Sequence, residues 1–151
     1  IALGCDHGGY ELKLEIIKYL EKSGLEYKDF GCDSMASTDY PIYAKKVCEA
    51  VQKELDSSFG ILICGTGLGM AMIANKVEGV YAGVCHDVFS AERLRKSNDA
   101  QVITMGARVI GPELAKTIID AWLKSEFQGG GSTPKVQQMR DLEAKSFHPE
   151  K

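Results

Sequence analysis

The sequence predicts an α/β domain: a parallel sheet of five strands with helices on both faces. Three observations carry this expectation. Short apolar runs alternate with stretches whose apolar residues recur at helical spacing, a βαβαβ pattern that calls for parallel strands joined by helical crossovers. The run Phe59–Cys64 (FGILIC) is continuously apolar, as expected of a strand buried on both faces. The length, 151 residues, suits one domain with a proper core.

Taken in order, Ile1–Cys5 reads as the first strand. Leu12, Ile16, Ile17 and Leu20 then recur at helical spacing, and Gly24 follows as a C-cap. Leu25–Phe30 reads as the second strand. Pro41 sits at a helix start, and Ala44, Val47, Cys48, Val51 and Leu55 form one apolar stripe. Phe59–Cys64 is the third strand, followed by a glycine-rich turn and a short helix from about Met70 to Lys76. Val80–Cys85 is the fourth strand, Asp87–Lys96 a helix and Gln101–Met105 the fifth strand. Pro112 opens a long helix through Trp122. Gly129–Pro134 (GGGSTP) has the composition of a linker, and Thr133 and Pro134 supply the start of a final, more polar helix. Val136, Met139 and Leu142 give that helix a narrow apolar seam. Residues 1–128 therefore make the main body, and 129–151 a linker, helix and tail of the same domain. A terminal helix beyond such a linker packs either on a partner subunit or back on its own domain.

Composition narrows the function classes. Apolar residues at 44% and charged residues at 26% are ordinary globular values, and the net charge is -3. Nucleic-acid and membrane-surface partners both call for a basic patch, so neither is expected. No apolar stretch approaches the length of a bilayer span. The first residues are strand-like, with no charged leader or cleavage site, and the missing initiator Met suggests a trimmed start. Five cysteines, an odd number without CxxC pairs, fit free thiols in a reducing compartment, hence a cytoplasmic protein.

In open parallel sheets, ligands bind beyond the carboxyl ends of the strands. That rule selects Cys5, Asp6, His7, Gly8 and Gly9 after the first strand, and Cys64 to Gly69 after the third. It also selects His86 and Asp87 after the fourth, and Gly106 and Arg108 after the fifth. Three glycines in Gly65-Thr66-Gly67-Leu68-Gly69 let backbone N–H groups approach an anion closely. The segment is neither a Walker A loop nor a full dinucleotide fingerprint. Cys64 stands at the strand tip before this turn, where a thiolate is favoured and a carbon-bound proton could be removed. The alternative is a small buried hydrophobe, which is the better account of Cys5 and Cys85. Asp6 and His7 bring a carboxylate and an imidazole to the first strand's end, for proton transfer or phosphate contact, or for capping the next helix. Cys5, His7, Cys64, Cys85 and His86 share one sheet edge, but no local pair has zinc-site spacing, so no metal is expected. His148 lies in the tail and reads as solvated.

Taken together, these residues resemble the ribose/galactose isomerase family, which includes ribose-5-phosphate isomerase B and galactose-6-phosphate isomerase. The matching elements are Asp6-His7-Gly8-Gly9, Asp39-Tyr40-Pro41, Cys64 to Met70, Asn75-Lys76, Asn98-Asp99-Ala100 and Gly106 to Gly111. The resemblance implies a Rossmann-like α/β/α sandwich acting as a homodimer, or a tetramer built from it, with active sites shared between subunits and the C-terminal helix extending to the partner. It implies no metal and no organic cofactor. It assigns Cys64 as the base moving a proton between C1 and C2 of an open-chain sugar phosphate. Gly65, Gly67, Leu68 and Gly69 would stabilise the enediolate oxygen. Thr66 would lie against the thiol and sugar oxygens, and Asp6 would assist ring opening and oxygen-to-oxygen proton transfer. Tyr40 and Asn98 would contact sugar hydroxyls, and His7 and Arg108 would hold the phosphate. The implied reaction is interconversion of ribose 5-phosphate and ribulose 5-phosphate. The alternatives are another aldose (galactose 6-phosphate, allose 6-phosphate or a non-phosphorylated sugar) or a non-catalytic sugar-phosphate-binding module. A sensor, however, has no need of a thiol at the anion turn.

Three positions depart from the family pattern. A ring-opening His usually precedes the Asn-Asp pair; here the residue is Ser97, with His86 as a substitute. Two arginines usually follow the glycine linker; here the positions hold Gly131 and Lys135, and Lys135 keeps a charge without bidentate geometry.

Overall fold

The computed structural model describes residues 1–150. Five strands form one all-parallel sheet: β1 (Ala2–Cys5), β2 (Lys28–Asp29), β3 (Gly60–Cys64), β4 (Ala82–Val84) and β5 (Val102–Gly106), in the order β2-β1-β3-β5-β4. Six helices connect and flank them: α1 (Tyr10–Lys22), α2 (Tyr40–Gln52), α3 (Leu68–Ala74), α4 (Val88–Lys96), α5 (Pro112–Leu123) and α6 (Thr133–Phe147). This is the sandwich the apolar alternation predicts.

Strand residues alternate between two cores, as the period of a pleated strand demands. Leu3, Cys5, Ile61, Ile63, Ile103 and Met105 face α1, α4 and α5. Ala2, Leu62, Cys64 and Val102 face α2 and α3. The crossover after β1 therefore leaves by one face and that after β3 by the other. A crevice opens between the carboxyl ends of these two neighbouring strands, the topological switch point where such sheets bind ligands. The Asp6 and Cys64 loops form its walls.

Several boundaries move for physical reasons. β2 shrinks to Lys28–Asp29, because it is an edge strand whose residues are exposed and pair only with β1. α2 ends at Gln52, so Leu55 leaves the apolar stripe and is exposed. Asp87 becomes the N-cap of α4, accepting from the Ser90 N–H at 2.7 Å, and this bond holds its carboxyl below the usual range. Gly24, at φ 71, is the left-handed residue expected just past α1.

Of the two fates open to the C-terminal helix, its contacts within the chain show the second: α6 packs against its own domain. Val136 is buried and Met139 packs on the core, whereas Leu142, expected in the same seam, is exposed. Polar contacts complete the docking: Arg140 pairs with Asp99 at 3.0 Å, Glu143 accepts from Gly79 N–H and Tyr81 O–H, and His148 meets Glu78. The glycine linker is short enough to allow this, forming a single 3₁₀ turn over Gly130–Ser132 that runs directly into the helix.

Candidate active site

The site is assembled from backbone outward. Asp6 ends β1 and caps the turn that follows, its Oδ1 accepting from Gly8 N–H at 2.9 Å and Gly9 N–H at 3.3 Å. This draws the Asp6 loop against the β3 turn: a Cβ at Gly8 would lie 3.4 Å from Gly65 N, and one at Gly9 only 2.5 Å from Ile63 O. Only glycines allow the two loops to meet so closely.

Cys64 is 5% exposed on the α2/α3 side, and Gly67 N–H donates to its Sγ at 3.0 Å. Gly67 adopts φ 79, which closes the turn back onto the thiol. Two contacts lock that conformation. Thr104, fully buried in β5, donates its hydroxyl to Gly67 O at 2.8 Å. Gly106 lies so close to the turn that a Cβ there would fall 2.6 Å from Thr66 Cα and 2.7 Å from Gly65 O. Gly106→Ala is therefore expected to displace the turn, lowering stability by about 1–3 kcal/mol and turnover more steeply than thermal stability. Thermal unfolding and kcat measured on the same preparation check this; loss of stability with normal kcat would contradict the role given to the turn.

The N–H groups of the turn differ in what they bond to. The N–H of Gly67 is taken by Cys64 Sγ and that of Leu68 by Thr66 Oγ1 at 3.3 Å. Among the described residues nothing accepts from the N–H groups of Gly65 or Gly69. Of the four residues expected in the anion hole, Gly65 and Gly69 keep N–H groups without a partner, and Gly67 and Leu68 are bonded within the turn. Tyr40, the first residue of α2, lies across Gly69, where a Cβ would meet its ring at 2.5 Å. Arg108 reaches over Gly65, its Cδ and Nε 3.4 and 3.5 Å from a Cβ built there. Asp6, His7, Tyr40, Cys64, Thr66 and Arg108 therefore surround one crevice.

Each imidazole is held by the backbone through one ring nitrogen. His7 Nδ1 meets Thr38 N at 3.1 Å and Thr38 O at 3.2 Å, and its Nε2 has no partner among the described residues. Gly106 N–H donates to His86 Nε2 at 2.9 Å, so His86 is anchored on the β4 side of β5, away from the β1–β3 crevice. Burial pushes the thiols of Cys5 and Cys85, near strand ends, and of Cys48, on α2, up to about 12, so they pack as neutral groups. Among the described residues no three His, Cys, Asp or Glu side chains gather as a metal-binding set.

The remaining expected residues are not in this crevice. Cys64 pairs with Gly106 and Gly60 with Val102, so Val102 lies four residues, or about 13 Å, down the sheet from the thiol. Ser97 and Asn98 precede Val102, at the amino end of the sheet. Lys135 belongs to the same end, since α6 docks there through Asp99, Gly79 and Tyr81, and Gln128 N–H donates to Lys96 O. One chain thus carries two separate groups: Asp6, His7, Tyr40, Cys64, Thr66 and Arg108 at the carboxyl end, and Ser97, Asn98 and Lys135 at the amino end.

Sequence reasoning missed Thr104 and Thr38. A lone threonine inside the apolar VITMG run was the available signal for Thr104; Thr38 had none. Asn75 was noticed only through the resemblance, and its side chain latches the edge strand, bonding Ala82 N and O at 2.9 Å each.

Comparison with known proteins agrees with this geometry. Residues 1–139 match the model of the Ribose/Galactose Isomerase family. A Listeria innocua protein named Ribose-5-P isomerase B is 51% identical, covering 97% of this chain and 98% of its own. A Pectobacterium atrosepticum protein named D-erythrulose-4-phosphate isomerase is 50% identical, covering 98% and 97%. The solved structure of ribose-5-phosphate isomerase B from Clostridium thermocellum superposes with a TM-score of 0.92 at 46% identity, over 96% of this chain and 97% of that one.

Proposed function

The chain belongs to the ribose/galactose isomerase family, and on that premise we propose that it interconverts ribose 5-phosphate and ribulose 5-phosphate, with Cys64 as the base. The observation that carries this reading is the thiol held by Gly67 N–H at 3.0 Å beside free turn amides and the Asp6 carboxylate. A proton α to a carbonyl is weakly acidic, so its removal needs an aligned base and a preorganised anion site. Cys64 takes the C2 proton of the open aldose, the C2–H electron pair forms the C1–C2 double bond, and O1 takes up the charge. The Gly65 and Gly69 amides stabilise that oxygen. Asp6 moves the proton from O2 to O1, and Cys64 returns its proton to C1 as C2 becomes the carbonyl. Thr66 lines the thiol side of the turn, Tyr40 contacts the sugar hydroxyls, and His7 Nε2 with Arg108 binds the phosphate. The test is ketose formation from ribose 5-phosphate, allose 6-phosphate, galactose 6-phosphate and free ribose. Activity confined to one of the last three substrates would overturn the substrate assignment.

The two groups at opposite sheet ends favour a homodimer in which Ser97, Asn98 and Lys135 of one subunit complete the crevice of the other. Exposed Leu68 and Met72 of α3 stand beside that crevice and would be covered by such a partner. All five cysteines are free, which suits a reducing compartment, and we assign the enzyme to the cytoplasm.

A second reading has support of its own. Ser97 stands where a ring-opening imidazole is expected, His86 is held by Gly106 N–H, and His148 is paired with Glu78. A tetrose 4-phosphate needs no ring opening, because its O4 carries the phosphate. The half-identical relative named for D-erythrulose 4-phosphate fits this chemistry. Ser97→His is expected to raise kcat/KM on ribose 5-phosphate, by up to about 10²-fold, and to leave erythrose 4-phosphate unchanged. Equal effects on both substrates would remove ring opening from consideration at this position.

A further inference from the structure

Asp99 is the one non-glycine residue with positive φ, 52°, among the described residues. Left-handed backbone is disfavoured for most residues with a Cβ, and Asp is among the few that adopt it singly, at turns such as this one. The residue follows Asn98 and turns the chain from the end of α4 toward β5. Its carboxylate lies between two guanidiniums from distant parts of the sequence. Arg140 of α6 holds Oδ2 at 3.0 Å, and Arg95 of α4 stands 3.7 Å from Oδ1. Arg95 is largely buried, stacks over the Phe59 ring at 4.7 Å and donates to Ala100 O at 3.2 Å. It therefore grips the turn from the core side. Arg140 grips it from outside, 41 residues later in the chain.

We propose that Arg140 is a positioning residue: through Asp99 it fixes the Asn98–Asp99 turn, so that Asn98 and Lys135 are presented to the sugar phosphate as one rigid unit. The inference rests on the reading of Asn98 as a contact to the sugar hydroxyls. Arg140 touches no substrate. Without it the left-handed turn keeps the Arg95 contact and its backbone bonds to the end of α4 but loses its tie to α6, Asn98 samples other orientations, and binding pays for restoring the right one. Partly exposed ion pairs contribute modestly, so the expected effect is small and specific.

The test is a double-mutant cycle on the full-length enzyme with ribose 5-phosphate. Arg140→Gln is expected to raise KM by about three- to fivefold with kcat within about twofold. Asp99→Asn, which tolerates the same backbone, should reproduce it, and Arg140→Lys should recover part of the loss. In an Asn98→Ala background Arg140→Gln should add nothing further, because the group it positions is gone. A merely structural arginine would instead lower the melting temperature, reduce kcat in step with folded protein, and add its full effect in that background. Unchanged KM in Arg140→Gln, beside a raised KM in Asn98→Ala, overturns the positioning role alone. Unchanged KM in Asn98→Ala overturns the sugar-contact reading and the proposal with it.

Discussion

Cys64→Ala is expected to lower kcat by about 10²–10⁴-fold, the usual contribution of a general acid–base group, while leaving the fold intact. The thiol is 5% exposed at a strand tip beside the α2/α3 core, and its single polar partner is the Gly67 N–H. Removing one sulfur costs packing on the order of 1 kcal/mol, too little to unfold the domain. Thr104 and Gly106 hold the turn from β5 independently of the thiol. Circular dichroism and thermal unfolding should be close to those of the parent, with the loss confined to turnover. Cys5→Ala, Cys48→Ala and Cys85→Ala are the controls. Burial pushes these three thiols up to about 12, so near neutral pH they carry no charge and offer no base. Their replacement costs packing, on the order of 1 kcal/mol or so, and leaves kcat within severalfold. Near-normal turnover in Cys64→Ala, or an equal loss in one of the controls, would sink the mechanism.

The same contrast shows what a sequence discloses. The continuous FGILIC run and the alternating helices were legible because burial on both faces leaves a periodic record. The crevice was legible because a strand followed by closely spaced glycines has few other uses. Which amides remain free was not: the diversion of Gly67 to the thiol follows from a left-handed backbone that Thr104 and Gly106 impose from another strand. Nor was Lys13, which sits among the apolar residues of α1. It is fully buried because Asp29 at the end of β2 and Cys32 O just beyond it meet its ammonium at 2.7 and 2.6 Å. A helical wheel has no access to such a partner. The fate of α6 was open for the same reason, since a seam of three apolar residues is satisfied equally by its own domain or by another. The contacts of Arg140 and Glu143 show the packing on its own domain, which leaves the helix's outer face available to a second subunit.

Two inactive variants mixed together should regain activity if the site is shared. The chain holds its thiol and its Asn98–Lys135 group at opposite ends of β5, so each complete site in a twofold dimer would draw one group from each subunit. Cys64→Ala destroys the first group. Asn98→Ala combined with Lys135→Ala destroys the second, with an expected loss of about 10²-fold in kcat/KM from two polar contacts, one of them charged. In a heterodimer of the two variants both defects fall in one site. The other site takes its thiol from the Asn98/Lys135 variant and its amino-end group from the Cys64 variant, and is intact. Random exchange between equal amounts makes half the dimers mixed, so about one quarter of all sites are restored. Activity should rise on the order of twentyfold above the Asn98/Lys135 parent, and by at least that much above the Cys64 parent, after subunit exchange, with the KM of the unmodified enzyme. A site built within one chain predicts the opposite: the mixture can only average its two parents. Exchange through mild denaturant and refolding, followed by assay of ketose formation, separates the outcomes. Activity no greater than that average, with heterodimers verified by differential tagging, would refute the shared site.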